Sequence, residues 1–173
     1  MVIVKRKEYP SAKLVVPVGL KGEKNGELDV AKLRKVKCGG RMFVDAAKAF
    51  NIMYDAALEA GVILRNVGDY RSLEAQLELF KQRYSTSDEG RKPQVTRSWN
   101  NKVWFLKKGC SPCSTPGKSN HGLGLAIDLD VTNKKVLAWL CANAPTYGFF
   151  MQSSDPKSPE FEAWHWQYCG LDK

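Results

Sequence analysis

The segment Lys118-Ser-Asn-His-Gly-Leu-Gly-Leu-Ala-Ile-Asp-Leu-Asp130 limits what this chain can fold into more than any other stretch. It holds one of only two histidines in 173 residues, then two glycines, then an apolar run broken by carboxylates. Side chains alternate along a β-strand, so Leu125, Ile127 and Leu129 share one face and can pack on a core. Ala126, Asp128 and Asp130 share the other. A carboxylate inside such a strand needs a partner, because burying an unpaired charge is costly. A metal ion is one such partner. The second histidine, His165, lies in the aromatic run Phe161-Glu-Ala-Trp-His-Trp-Gln-Tyr168. Two imidazoles and one carboxylate form the nitrogen and oxygen set of catalytic zinc sites, whose fourth position stays open. His121, Asp128 and His165 are therefore the candidate ligands of one catalytic zinc ion, with Asp130 as a rival to Asp128. Glu162, three residues before His165, would stand within reach of water at such a metal and act as general base.

The remaining chain supplies a frame for these residues. Apolar Met42, Phe43, Ala46, Phe50, Met53, Tyr54, Ala57 and Leu58 recur at three- and four-residue steps, predicting an amphipathic helix from Arg41 to Ala60 that Gly61 stops. Val62-Ile-Leu-Arg-Asn-Val67 reads as a short strand. Ser72 is a suitable N-cap for a helix to about Tyr84, with Leu73, Gln76, Leu77 and Phe80 on one face. The tetrad Asp69-Tyr-Arg-Ser72 falls at the strand-to-helix junction, where the planar fork of Arg71 suits a substrate carboxylate or a developing oxyanion. Between Ser85 and Lys118 the periodicity disappears, apart from Lys102-Val-Trp-Phe-Leu106, which predicts a long surface excursion. A third helix is expected over residues 134–143, and Trp164, Trp166 and Tyr168 read as core packing. Residues 1–40 are basic and Gly-rich with short β-like pieces such as Lys13-Leu-Val-Val-Pro-Val18. They read as an extension of the same unit, ahead of a chemistry-bearing domain over residues 41–173.

Composition narrows the partners without choosing among them. A formal net charge of +9, from 27 Lys and Arg against 18 Asp and Glu, favours nucleic acid, an anionic membrane surface or a charged wall polymer. No apolar run approaches the roughly 18 residues of a membrane span. The segment Met1-Val-Ile-Val-Lys-Arg-Lys-Glu8 lacks the apolar core and cleavage site of a secretory signal, so synthesis in a cytosol is expected. Five cysteines are an odd count for a disulfide framework and read mostly as reduced thiols. Cys110-Ser-Pro-Cys113 could be half of a tetrahedral zinc site or a loop disulfide, with Cys38, Cys141 or Cys169 as further partners, or simply two thiols.

"SNHGLGLAID" resembles the Ser-x-His-x-x-Gly-x-Ala-x-Asp motif, and "EAWH" the Glu-x-Trp-His motif, of the LAS-type zinc peptidases. "DYRSLEAQ" is similar to the family's Gly-Tyr-Arg-Ser segment with its downstream Gln, and "YGF" to the aromatic turn before the last motif. The group includes D-alanyl-D-alanine carboxypeptidases of the vancomycin-resistance type and L-alanyl-D-glutamate endopeptidases of phage endolysins. The resemblance covers roughly residues 41–170. It implies an α+β fold, a small antiparallel sheet with packed helices and zinc at one edge, as in the hedgehog domain. It further implies His121, Asp128 and His165 as zinc ligands, Glu162 as base rather than Glu160, and Arg71 on substrate, supported by Ser119 and Gln76. Asp69 stands where the family commonly has Gly, and Ala163 where it commonly has Pro. Asp69 is therefore expected to alter the pocket beside Arg71. The implied activity is zinc-dependent hydrolysis of an amide in the peptide stem of bacterial peptidoglycan, by a monomer, in phage-mediated lysis after release to the wall. Wall affinity would come from residues 1–40 or 85–118, unless the chain is a catalytic fragment. The competing readings are a basic nucleic-acid-binding protein with structural zinc, disfavoured by scattered charge and no recognisable finger spacing, and a non-catalytic zinc-fold binding domain, disfavoured by Glu162.

Overall fold

The computed structural model describes residues 9–88, 90, 92 and 95–170, so the expectation for Met1–Glu8 lies outside the described residues. In chain order the elements are β1 (Leu33–Lys35), β2 (Arg41–Phe43), α1 (Val44–Glu59), β3 (Asn66–Gly68), α2 (Leu73–Arg83), β4 (Tyr84–Ser85), β5 (Thr96–Trp99), β6 (Lys102–Leu106), β7 (Ala126–Leu129), α3 (Lys134–Asn143), β8 (Phe149–Phe150) and β9 (His165–Tyr168). All strand pairs are antiparallel. They form a β1-β2 hairpin, a four-stranded sheet in the order β3-β7-β9-β8, and a three-stranded sheet in the order β4-β6-β5. The result is the expected α+β architecture.

The alternation in β7 and the residue before it organises the centre. Leu125, Ile127 and Leu129 are fully buried and belong to the same cluster as Phe50 and Met53 of α1, Leu140 of α3, Phe149 and Trp166. Each such side chain contributes roughly 1.5–3 kcal/mol when removed from water. One face of the four-stranded sheet is thus committed to the helices. The opposite face carries Asp128, paired directly across from His165.

Three sequence expectations change. The first helix starts at Val44, because Arg41–Phe43 is extended and pairs with Leu33–Lys35. Met42 and Phe43 are buried from the strand instead, so their apolar spacing served either geometry. The strand expected over residues 62–67 is displaced: 62–65 have no regular structure, and Asn66–Gly68 pairs with β7 through an irregular register. Val62 and Leu64 still point inward and Ile63 outward, but no strand lies alongside to pair with them. The excursion over residues 85–118 contains the β5-β6 hairpin, closed by Asn100 and Asn101 at φ of 51° and 55°. A two-residue turn with both central residues at positive φ matches the twist of the strands it joins, and Asn tolerates that region. Trp99 and Trp104 pack on Phe80, whose ring stacks on Tyr84, giving the excursion its own small aromatic core.

The early residues are woven into the same body. Ser11 bridges Met151, the Gln167 amide donates to the Ala12 carbonyl at 2.7 Å, and Tyr9 meets Phe161 edge to face.

Candidate metal centre and its cleft

The turn Asn120–Leu123 is a short 3-10 segment that ends at Gly124, whose φ of 64° sends the chain directly into β7. The turn brings His121 over the sheet face that carries Asp128 and His165. The Asp128 carboxylate lies 3.3 Å from His121 Nε2 and 3.0 Å from His165 Nδ1. One donor atom from each of the three residues falls within 4.8 Å of the others, the only such group among the described residues. Both histidines are buried and Asp128 nearly so.

Hydrogen bonding orients the donors. His121 Nδ1 is 2.9 Å from the Asp69 carbonyl, which can only accept, so Nδ1 carries the proton and the Nε2 lone pair faces the carboxylate. A lone pair and a carboxylate at that distance repel, so a proton or a metal ion must lie between them. Tetrahedral coordination at roughly 2.0–2.1 Å sets donors about 3.3 Å apart, close to the two separations from the Asp128 carboxylate. His165 Nε2 is buried without a hydrogen-bond partner, leaving Nδ1 as the engaged nitrogen. Burial works against ionisation of Asp128, but where the facing imidazole nitrogens carry protons their hydrogen bonds outweigh it and hold the carboxyl well below the usual carboxylate range. The centre can therefore hold a metal ion through two nitrogens and one oxygen.

The centre opens into a cleft of about 360 Å³ lined also by Glu162, Arg71, Ser119, Asn120 and Trp164. Glu162 precedes β9 in a tight turn, its carbonyl accepting from His165 N at 3.0 Å. Burial pushes its carboxyl above the ordinary value, with the nearby His165 pulling the other way. Arg71 Nη1 donates to Gln76 Oε1 at 2.9 Å, and the Gln76 amide donates to the Ser114 carbonyl at 2.7 Å.

Several expected positions move. Gln76 is 2% exposed and does not line the cleft; it sits behind Arg71 and orients the guanidinium. The Asp69 side chain also stays out of the cleft, accepting from Arg41 N and Asn66 Nδ2 at 2.9 Å each, so only its carbonyl touches the site. Asp130 is turned away into a local bend, accepting from Thr132 N at 3.0 Å and Thr132 Oγ1 at 2.6 Å. Glu160 is exposed and lines a separate groove with Gln152 and Gln167. Trp166 and Tyr168 are core residues as expected, but Trp164 is 43% exposed at the cleft. No disulfide joins the cysteines, and Cys113 is a wall of the cleft rather than part of a second metal group among the described residues.

The sequence reading missed Arg83. Its Nη1 donates to the Pro112 carbonyl at 3.2 Å and the Ser111 carbonyl at 3.4 Å, tying the Cys110–Cys113 loop to the cleft wall. Arg83 lies seven residues beyond Gln76, two turns along one face of α2, and that spacing was available to find it. Gln152, also at the cleft, carries no comparable signal.

Comparison with known proteins sets this geometry beside relatives. Residues 40–171 match the family model VanY, D-alanyl-D-alanine carboxypeptidase. A D-alanyl-D-alanine carboxypeptidase of Enterococcus faecalis is 24% identical over 150 residues, covering 82% of this chain and 53% of the relative. The YodJ protein of Bacillus subtilis is 28% identical over 141 residues, covering 73% of this chain and 45% of the relative. The chain thus spans about half the length of these relatives. Among solved structures, VanYB in complex with D-alanine-D-alanine aligns with a TM-score of 0.60 at 22% identity, over 95% of this chain and 87% of that one. A vancomycin-resistance D,D-pentapeptidase VanY in complex with Zn(II) gives 0.59 at 22% identity, over 95% and 88%. The LD-carboxypeptidase LdcB gives 0.56 at 23% identity, over 95% and 72%.

Proposed function

From its membership of the VanY D-alanyl-D-alanine carboxypeptidase family, to which the chain belongs, we propose that this protein is a zinc-dependent peptidase acting on the peptide stem of bacterial peptidoglycan. The convergence of His121 Nε2, Asp128 Oδ1 and His165 Nδ1 beside Glu162 in one cleft carries the reading. Zinc suits this donor set, and when bound it supplies Lewis acidity that polarises the scissile carbonyl and makes hydroxide accessible near neutral pH.

The chain's own residues do the rest. Glu162, a carboxylate made more basic by burial, takes the proton from the attacking water and returns it to the departing amine. Arg71, oriented by Gln76, binds the carboxylate at the substrate's C-terminus with its planar fork. Ser119, buried at the edge of the same cleft, contacts the substrate backbone. A terminal carboxylate held by Arg71, in the cleft that also holds the three donors, would favour carboxypeptidase over endopeptidase action. VanYB, of the same fold, is known in complex with D-alanine-D-alanine. A role in phage-mediated lysis is the narrower form of this proposal, supported by the +9 charge that would draw the protein to an anionic wall.

The test is direct. Purified protein is assayed for zinc, then incubated with a stem pentapeptide ending in D-Ala-D-Ala and with whole sacculi, with and without chelator, and the products are weighed. Chelator-sensitive loss of the terminal D-Ala is expected. New internal termini would assign endopeptidase action instead. No new terminus from any substrate, together with salt-sensitive DNA binding, would overturn the peptidase reading in favour of the nucleic-acid one.

A further inference from the structure

Residues Asn25–Leu28 lie outside the span matched by the family model, yet they touch both sides of the metal centre. On one side, Asn25 Nδ2 donates to the Ser119 carbonyl at 2.7 Å, and Gly26 N donates to the Gly122 carbonyl at 2.7 Å. These carbonyls flank His121. On the other side, the Gly26 carbonyl accepts from Leu73 N at 2.9 Å, and Leu28 N donates to the Tyr70 hydroxyl at 3.2 Å. Those groups flank Arg71. The two sides also meet directly, Arg71 N donating to the His121 carbonyl at 3.2 Å.

The fit leaves no slack. Gly26 has a φ of 86°, and a Cβ there would meet Leu73 N at 2.5 Å and Leu73 Cα at 2.8 Å. A Cβ on Gly122 would run into the Asn25 side chain and meet Gly26 N at 3.0 Å. The 3-10 turn that bears His121 is four residues long, and such a short turn has few hydrogen bonds of its own to hold it. The Ser119 carbonyl already accepts from Gly122 N, so the Asn25 amide fills its second lone pair.

We propose that Asn25 and Gly26 are positioning residues: this strap sets the spacing between the metal ligand His121 and the substrate-binding Arg71. The proposal rests on the zinc reading of His121. Neither residue lines the cleft; both act through the backbone that carries residues that do. Catalytic constellations need placement to within about 0.5 Å, and the strap is bonded to both halves.

The experiment compares wild type, Asn25→Ala, Gly26→Ala and the exposed neighbour Lys24→Ala. Five quantities are measured: zinc affinity by chelator competition, the absorption spectrum of the Co(II)-loaded protein, kcat and KM separately, and the melting temperature without metal. Asn25→Ala removes a donor and adds no bulk. Its zinc affinity is expected to fall about tenfold, the low end for residues that orient ligands from outside. Its cobalt spectrum shifts, its kcat falls more than its KM rises, and its metal-free melting temperature stays at the wild-type value. Gly26→Ala shows the same changes more strongly, and Lys24→Ala none; if Gly26→Ala does not fold, Asn25→Ala carries the comparison. Wild-type zinc affinity and spectrum in Asn25→Ala would overturn the proposal while leaving the peptidase reading intact. A drop in metal-free stability that accounts for the whole loss would also overturn it, as a merely structural effect. Absence of zinc binding by wild type would remove the metal reading first and the strap proposal with it.

Discussion

Individual side chains divide the work at the cleft, and substitution can separate their parts. Glu162→Gln keeps all three donors, so the variant should retain zinc while its kcat falls by roughly 10²–10⁴, the range for a lost general base. His165→Ala removes a donor, and zinc content itself should fall; atomic absorption after dialysis checks both variants. Full activity in Glu162→Gln would show that another group moves the proton. Cys38 offers a pH-dependent test away from the site. Burial is the main reason its thiol is pushed up to about 11, with the Asp69 carboxylate adding to the effect. A raised thiol pKa means less thiolate at any lower pH, about a thousandth at pH 8 against roughly a quarter for a free thiol near 8.5. Alkylation by iodoacetamide, followed by peptide mass, should therefore be slow at Cys38 near neutrality and rise through pH 11.

At the scale of elements, backbone contacts hold the site where side chains alone would not. Gly124 ends the His121 turn at a φ of 64°, and a Cβ there would meet Phe43 N of β2 at 2.6 Å. The left-handed conformation alone costs a non-glycine residue roughly 1–2 kcal/mol. With the clash added, Gly124→Ala should destabilise the protein by at least about 2 kcal/mol, lowering the melting temperature by about 4–8 °C in a chain of this size. An unchanged melting temperature would mean that β2 and the turn can part freely. This contact also marks what the sequence could reveal. The strand bearing Asp128, the helix capped by Ser72 and the α3 segment were legible, because alternation, a cap and helical spacing are local signals. The β1-β2 hairpin was not, because Met42 and Phe43 fit a helical stripe as well as a strand, and only pairing with Leu33–Lys35 decides between them. The donor set was legible because histidine is scarce here. The role of Gln76 was not, since its burial behind Arg71 depends on Ser114, which is 38 residues away.

The whole molecule should respond to metal as a unit. The three donors come from the turn before β7, from β7 and from β9, so a bound ion would tie together segments that are far apart in the chain. An ion that binds only the folded form stabilises it by about 2.7 kcal/mol at a free concentration of 100 times its Kd. Chelator should accordingly lower the melting temperature, and graded zinc should restore it; a melting temperature indifferent to zinc would argue against binding at this centre. The in-register pairing of Asp128 with His165 has a consequence for assembly of the fold. A slip of one residue between β7 and β9 would turn Asp128 and His165 to opposite faces, because side chains alternate with a period of two. A chain with these strands mispaired would have no place for the ion, so zinc uptake during refolding would report that the sheet has closed in register.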